Sequence, residues 1–150
     1  MDLRILIVDD EPTNRQVLEQ ALTAFGHATA MAGDGPQALE MLAGSSFDAV
    51  LLDLHMPQLS GLDVLDRMRA EPGPNQETPA VCVTADVLSR RPDDYLDLGF
   101  QAFLAKPVQI AKLAAAIDRV TATSIEEQRR MRTAVKLAGL QRRVGALPLS

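Results

Sequence analysis

The feature of this sequence that most restricts its fold is a series of short apolar runs without polar alternation. The clearest runs are residues 5–8, 49–52 and 80–83, and weaker ones span residues 28–32 and 102–105. A strand with one face in water would alternate apolar and polar side chains, whereas these runs are typical of strands buried on both faces of a parallel sheet. We therefore predict five parallel strands.

The segments between the runs have apolar residues at helical spacing, which predicts five helices. In chain order these residues are Val17, Leu18, Ala21, Leu22 and Phe25; Ala38, Leu39 and Leu42; Leu62, Val64, Leu65 and Met68; Tyr95, Leu96 and Leu98; and Ile110, Leu113, Ile117 and Val120. Gly26, Gly44 and Gly99 follow three of the stretches, as glycine commonly does at a helix end. The alternation predicts a doubly wound α/β fold, with a five-stranded parallel sheet between five helices.

Composition and charge exclude several kinds of protein. Residues 1–120 carry nine Lys and Arg against eighteen Asp and Glu, so we expect this acidic part not to bind nucleic acid. No apolar run approaches the roughly 18–20 residues of a membrane helix, so no membrane association is expected. Cys82, the single cysteine, fits a core position in a cytoplasmic protein. Two histidines and one cysteine cannot make a four-ligand zinc site.

Polar residues follow four of the five predicted strands. These are Asp9, Asp10 and Glu11 after the first strand, Asp53 after the third, Thr84 after the fourth and Lys106 after the fifth. Functional sites of such folds form at the carboxyl ends of the strands. Acids gathered there repel one another unless a cation is present, and Mg²⁺ is bound by carboxylates and water. The alternatives are that Asp9 and Asp10 only cap a helix, and that Asp53 belongs to a plain turn.

These groups together suit the transfer of a phosphoryl group to a carboxylate. Asp53 is then the nucleophile, and Mg²⁺ bridges the acids and the phosphoryl oxygens. Lys106 and the Thr84 hydroxyl neutralise and hydrogen-bond the remaining oxygens.

Four motifs carry a resemblance to a known family. Val8-Asp9-Asp10-Glu11, Leu52-Asp53-Leu54-His55-Met56-Pro57 with Gly61, Val83-Thr84-Ala85 and Ala105-Lys106-Pro107 resemble the signature of bacterial response-regulator receiver domains, over roughly residues 3–121. The resemblance implies a flavodoxin-like receiver domain in residues 1–121, which takes a phosphoryl group from a histidine kinase or histidine phosphotransfer protein onto Asp53. It also implies that phosphorylation alters the face formed by strand 4, helix 4, strand 5 and helix 5.

The resemblance also implies roles for individual residues. Asp9, Asp10, Asp53 and the backbone carbonyl of His55 would hold Mg²⁺, for which Mn²⁺ is expected to substitute. Thr84 and Phe103 would be the switch residues, Lys106 would bind the phosphate, and the peptide bond from Lys106 to Pro107 would be cis. His55 and Asp86 would flank the path by which water attacks the acyl phosphate, and would tune its lifetime.

Other functions fit the sequence less well. An aspartyl-phosphate phosphatase would have a second Asp two residues after the nucleophile, where His55 stands. A flavodoxin would have a phosphate-binding loop after the first strand. We therefore expect the protein to catalyse only its own phosphorylation and dephosphorylation. Within the family, a stand-alone receiver and the receiver half of a longer regulator with a separate output domain both stay open.

The resemblance ends near residue 121, and residues 122–150 are predicted to form a basic tail. Residues 121–150 carry six Lys and Arg against two Asp and Glu, and apolar residues recur at 3-4-3 spacing from Leu137 to Leu147. Gly139 and Gly145 would each cost a helix about 1 kcal/mol relative to Ala. A helix that forms a homodimer is the favoured hypothesis, and a disordered linker or a docking segment is the alternative.

Overall fold

The computed structural model describes residues 3–86 and 91–122, together with Leu137. These residues form five strands and five helices in strict alternation. The elements are β1 (Arg4–Val8), α1 (Pro12–Ala24), β2 (Ala28–Ala32), α2 (Gly35–Gly44), β3 (Ala49–Asp53), α3 (Gly61–Ala70), β4 (Ala80–Thr84), α4 (Pro92–Asp97), β5 (Ala102–Ala105) and α5 (Ile110–Ala122). The predicted doubly wound α/β fold is confirmed.

The sheet has the strand order β2-β1-β3-β4-β5, and every neighbouring pair is parallel. All five residues of β3 and all five of β4 are buried. The predicted strands agree with the observed ones to within one residue, and β3 and β4 each extend by one polar residue. Those two residues are Asp53 and Thr84, so the sheet itself fixes their backbone positions.

Each face of the sheet is covered by its own set of helices. On one face, Ile5, Ile7, Leu51 and other strand residues pack against α1 and α5. On the other face, Leu6, Val50, Leu52 and their neighbours pack against α2, α3 and α4. Cys82 lies buried in this second core. The uninterrupted apolar runs of the sequence therefore exist because both faces of each central strand are buried.

Two residues of the predicted helix stripes are exposed. Val17 in α1 is 53% exposed, and Ile110 in α5 is 59% exposed. Leu18, Ala21 and Leu22 form the buried stripe of α1, and Val17 lies beside this stripe rather than in it. Ile110 is the first residue of α5, and the buried part of its stripe begins one turn later. Both residues belong to the predicted apolar stripes but not to the buried core.

The loop between α3 and β4 is held by a buried side-chain amide. Asn75 is 2% exposed, and its Nδ2 donates to the carbonyl oxygens of Leu42 and Ser45 at 2.6 and 2.5 Å. Its Oδ1 accepts from the Phe47 amide at 2.8 Å. One side chain thus forms hydrogen bonds with three backbone groups between the last turn of α2 and the residues before β3. These bonds fix where β3 begins.

The predicted tail lies almost entirely outside the described residues, and so does the proposed dimer contact. The boundary at residue 121 between domain and tail stays a prediction. Within residues 3–86 and 91–122, no helix is long and apolar enough to cross a membrane.

The start of α3 packs directly on the end of β3. Ser60 caps the helix by accepting from the Asp63 amide at 3.1 Å, and the Gly61 amide donates to the Leu54 carbonyl at 2.9 Å. A Cβ atom at Gly61 would collide with the backbone carbonyl of Asp53. Glycine is required here because the helix backbone approaches the strand that carries Asp53.

We predict that Gly61→Ala lowers the free energy of unfolding by about 1–3 kcal/mol, because backbone atoms cannot move aside as a flexible side chain can. Gly44→Ala is the matched control, since a Cβ there would meet nothing within 4 Å. That variant should change stability by less than about 1 kcal/mol, in the stabilising direction. Urea unfolding of both variants measures the difference, and equal stabilities would contradict the packing argument.

Candidate functional site

The predicted site residues meet at the carboxyl edge of the sheet. Asp9 follows β1, Asp53 ends β3, Thr84 ends β4 and Lys106 follows β5. Strands β1, β3, β4 and β5 are consecutive neighbours in the sheet, so these side chains lie in one row along the edge. Residues separated by up to 97 positions in the sequence are brought together by the strand order alone.

Three carboxylates form a compact cluster within this row. One oxygen from each of Asp9, Asp10 and Asp53 lies within 4.8 Å of the others. Asp9 and Asp53 are 1% and 5% exposed, whereas Asp10 is exposed. Glu11, the fourth acid of the sequence motif, is exposed and precedes the first residue of α1. The cluster therefore has two buried acids and one acid open to solvent.

Lys106 supplies positive charge to the cluster. Its Nζ lies 2.9 Å from Asp9 Oδ2 and 3.4 Å from Asp53 Oδ1. The Lys106 amide donates to the Thr84 carbonyl at 2.9 Å, which anchors its backbone to the end of β4. The peptide bond between Lys106 and Pro107 is cis. Burial lowers the pKa of the ammonium, but the hydrogen bond that it donates to Asp9 and the negative charge of Asp53 outweigh this effect, so the pKa is raised overall.

One ammonium is not enough to balance the buried acids. Burial, and then the negative charge of Asp9, raise the pKa of Asp53 from 3.8 to about 6, against the opposing effect of Lys106. The hydrogen bond with Asp10 raises it further. In the absence of a further cation, the site therefore favours a protonated Asp53 near pH 6 and below.

The cluster fits a hard divalent cation. Asp9 Oδ2 is buried, and the Lys106 ammonium that lies 2.9 Å from it is shared with Asp53. Buried carboxylates are costly when they outnumber the cations that pair with them. Three carboxylate oxygens at one partly open edge are a ligand set that Mg²⁺ takes while keeping several waters.

A second set of contacts holds the Asp9 segment in place. Asp9 Oδ1 accepts from the Glu11 amide at 2.9 Å, and the Arg15 guanidinium donates from Nη1 to the Asp9 carbonyl at 2.6 Å. Arg15 thus ties α1 to the end of β1. This bond could not be predicted from the sequence, because it depends on how the first turns of α1 lie against the end of the strand.

The two predicted switch residues, Thr84 and Phe103, differ in their burial and in their contacts. Thr84 is fully buried, and its Oγ1 accepts from the Asp86 amide at 3.1 Å. Phe103 is half-buried on β5, and its ring stacks on that of Tyr95 with centroids 4.8 Å apart and planes 12° apart. Tyr95 was predicted only as part of a helix stripe, and its contact with Phe103 was missed.

His55 and Asp86 meet from two different loops. His55 Nε2 lies 3.4 Å from Asp86 Oδ2, with 63% and 31% of the respective side chains exposed. His55 follows Asp53 by two positions, and Asp86 follows Thr84 by two. The pair therefore bridges the loops after β3 and β4, the strands that end in Asp53 and Thr84.

Comparisons with known proteins agree with this geometry. The model of the response regulator receiver domain family matches residues 5–118. The receiver domain of sensor histidine kinase PA1611 from Pseudomonas aeruginosa PAO1 superposes with a TM-score of 0.74 at 29% identity, covering 82% of this chain and 100% of that one. That crystal structure has a magnesium ion coordinated in its active-site cleft.

Two curated proteins are similar in sequence. The sensory/regulatory protein RpfC of Xanthomonas campestris pv. campestris is 39% identical over 112 residues, which are 74% of this chain and 15% of RpfC. Response regulator MprA of Mycobacterium tuberculosis is 38% identical over 116 residues, which are 77% of this chain and 49% of MprA. The chain thus spans less than half the length of either relative.

We predict that Asp53→Asn stabilises the metal-free protein at pH 8 and has little effect at pH 4. The pKa of Asp53 is about 6 in the folded protein, against a usual 3.8. Ionisation of Asp53 therefore lowers the free energy of unfolding as the pH rises from about 4 through 6. Removing that charge should raise the free energy of unfolding at pH 8 by roughly 1–3 kcal/mol.

Denaturant unfolding at pH 4, 6 and 8 with a chelator measures this difference. Asp66→Asn, at an exposed position of α3, is the control and should change stability by less than about 0.5 kcal/mol at each pH. Added Mg²⁺ should stabilise the wild type more than Asp53→Asn. A difference between wild type and Asp53→Asn that does not vary with pH would contradict the raised pKa.

Proposed function

The chain belongs to the response regulator receiver domain family, and we propose that it is a phosphoryl-accepting switch with Asp53 as the acceptor. The observation that supports this proposal most strongly is the convergence of Asp9, Asp10, Asp53 and Lys106 on one edge of the sheet. A carboxylate flanked by a cation site and an ammonium can receive a phosphoryl group, whose negative charge both cations offset.

The proposed reaction transfers a phosphoryl group from a phosphohistidine to Asp53. A carboxylate oxygen of Asp53 attacks the phosphorus, and an O–P bond forms as the P–N bond breaks. The imidazole nitrogen leaves with the electron pair and takes up a proton. Lys106 moves from its carboxylate partners toward a phosphoryl oxygen, and the Thr84 hydroxyl donates to another. The same groups serve a small donor such as acetyl phosphate.

The proposed metal ligands are the carboxylates of Asp9, Asp10 and Asp53 with the backbone carbonyl of His55. The ion would be Mg²⁺, with Mn²⁺ as a substitute, and when bound it would neutralise the acids and the phosphoryl oxygens. Support comes from the compact carboxylate cluster and from the magnesium ion in the similar PA1611 receiver domain.

The proposed output is a change of surface rather than turnover of a substrate. Thr84 lies beside Asp53 in the sheet, and Phe103 lies on the next strand. A shift of Thr84 toward the phosphoryl group would alter the face formed by β4, α4, β5 and α5. On this proposal the domain catalyses only its own phosphorylation and dephosphorylation.

The proposed donors are a sensor histidine kinase or a histidine phosphotransfer protein in the cytoplasm. A second proposal is that the domain acts as the receiver part of a longer regulator. This proposal is favoured by the relatives, since the match covers 15% of RpfC and 49% of MprA. In either case the acidic receiver domain is proposed to bind neither nucleic acid nor membrane.

We predict that acetyl phosphate with Mg²⁺ adds one base-labile phosphoryl group to Asp53. Intact-mass measurement should find a single addition, and peptide mapping after reduction with borohydride should place it at Asp53. Chelation of Mg²⁺ should abolish transfer, because three uncompensated carboxylates repel an incoming dianion. Labelling of Asp53→Asn to the wild-type extent would contradict the assignment, whereas the exposed-site control Asp66→Asn should label normally.

We further predict that His55 and Asp86 control the lifetime of the phosphoryl group. Their side chains bridge the loops after β3 and β4, along the proposed path of water to the acyl phosphate. Alanine at either position should change the half-life severalfold, and the double variant should deviate from additivity by up to about 1 kcal/mol. The Mg²⁺ affinity should change less than the half-life.

The decay of phosphoprotein after donor removal measures this effect, and Asp66→Asn again serves as the surface control. Half-lives equal to wild type in all three alanine variants would make His55 and Asp86 ordinary loop residues.

A further inference from the structure

Three contacts connect Thr84 to α4 and to Phe103. The Asp86 amide donates to Thr84 Oγ1 at 3.1 Å. The Tyr95 hydroxyl donates to the Asp86 carbonyl at 2.9 Å, and the Tyr95 ring stacks on Phe103. Asp86 is therefore held from both sides, by a threonine hydroxyl at its amide and by a tyrosine hydroxyl at its carbonyl.

Tyr95 is placed to hold Asp86 firmly. Its side chain is 0% exposed, the most complete burial of any large aromatic residue in the described core. A buried tyrosine hydroxyl needs a hydrogen-bond partner, since leaving it unpaired is costly. The stack with Phe103 fixes the plane of the ring, and the hydroxyl reaches across from α4 to the residue two positions beyond β4.

We propose that Tyr95 is a positioning residue that latches the Thr84–Asp86 turn in the unphosphorylated state. This inference rests on the proposed phosphorylation of Asp53. The Thr84 oxygen that accepts from the Asp86 amide is the one that a phosphoryl group on Asp53 would attract. When Thr84 turns toward the phosphoryl group, the Asp86 amide loses its acceptor and the turn must rearrange, which strains the hydrogen bond from the Tyr95 hydroxyl to the Asp86 carbonyl.

The latch sets how readily the turn can rearrange. A hydrogen bond that exists before phosphorylation and is strained or lost after it opposes the switch. If the phosphoryl-accepting conformation is populated only in part, the latch reduces that population and slows phosphorylation by a small donor. Removing the Tyr95 hydroxyl should therefore speed phosphorylation, rather than slow it as general damage to the fold would.

The chain carries an intrinsic fluorescent reporter for rearrangement of the Thr84–Asp86 turn. It contains one tyrosine and no tryptophan, so tyrosine emission comes from Tyr95 alone. The first experiment follows that emission in the full chain during phosphorylation by acetyl phosphate and Mg²⁺, with occupancy measured in parallel by intact mass. We expect the emission to change in proportion to occupancy.

Two variants at Thr84 test whether the hydroxyl carries the change. Thr84→Ser keeps the hydroxyl and should keep the emission response, whereas Thr84→Ala at matched occupancy should lose it. A wild-type chain that takes up no phosphoryl group overturns the proposed function, and this inference with it. Full occupancy without a change in emission, or an equal change in Thr84→Ala, overturns the latch alone.

The second experiment removes the hydroxyl and keeps the ring. Tyr95→Phe should be phosphorylated about fivefold faster at a low acetyl phosphate concentration, the equivalent of one neutral hydrogen bond. Thr121→Val is the matched control, because it removes a hydroxyl that donates to a backbone carbonyl, that of Ile117, at 2.7 Å at the far end of α5. That variant should be phosphorylated at the wild-type rate. A Tyr95→Phe rate equal to or below the wild-type rate overturns the latch.

Discussion

Negative charge held out of water at one edge of the sheet is the constraint on which the rest of this site depends. Asp9 and Asp53 are almost fully buried, and the ammonium of Lys106 lies within ion-pair distance of both. Burial of a charge is tolerated only when it is paired, hydrogen-bonded or bound to a cation. The raised pKa of Asp53 and the sharing of one ammonium between two buried carboxylates are two signs of the same deficit of positive charge, which a divalent cation would remove.

The surrounding structure keeps these charges from moving apart. The sheet fixes Asp53 and Thr84 as the last residues of their strands. Arg15 holds the carbonyl of Asp9 from α1, and the Lys106 amide is bonded to the Thr84 carbonyl. Gly61 lets α3 begin against the backbone of Asp53. Relaxation of any of these contacts would let the acids separate into water, and the cation site would weaken.

Much of this arrangement was predictable because it follows local rules. Uninterrupted apolar runs gave the strands to within one residue, and the parallel strand order then placed Asp9, Asp53 and Lys106 on one edge. Contacts between elements distant in sequence were not predictable. Such contacts depend on how the helices and loops pack on the sheet. Examples are the hydrogen bond from Tyr95 to Asp86, the one from Arg15 to Asp9 and the hydrogen bonds of the Asn75 amide. The exposure of Val17 and Ile110 was not predictable either, because helical spacing does not tell where a buried stripe ends.

The strand order has a further consequence for when the domain can respond. The acidic residues come from β1 and β3, but Lys106 follows β5, the last strand and an edge of the sheet. During synthesis the Asp53 carboxylate therefore emerges long before the ammonium that offsets its charge. A chain that is incomplete or locally unfolded at β5 keeps Asp53 and lacks the paired site around it. If Asp53 accepts a phosphoryl group as proposed, its competence to do so is thus tied to completion of the fold.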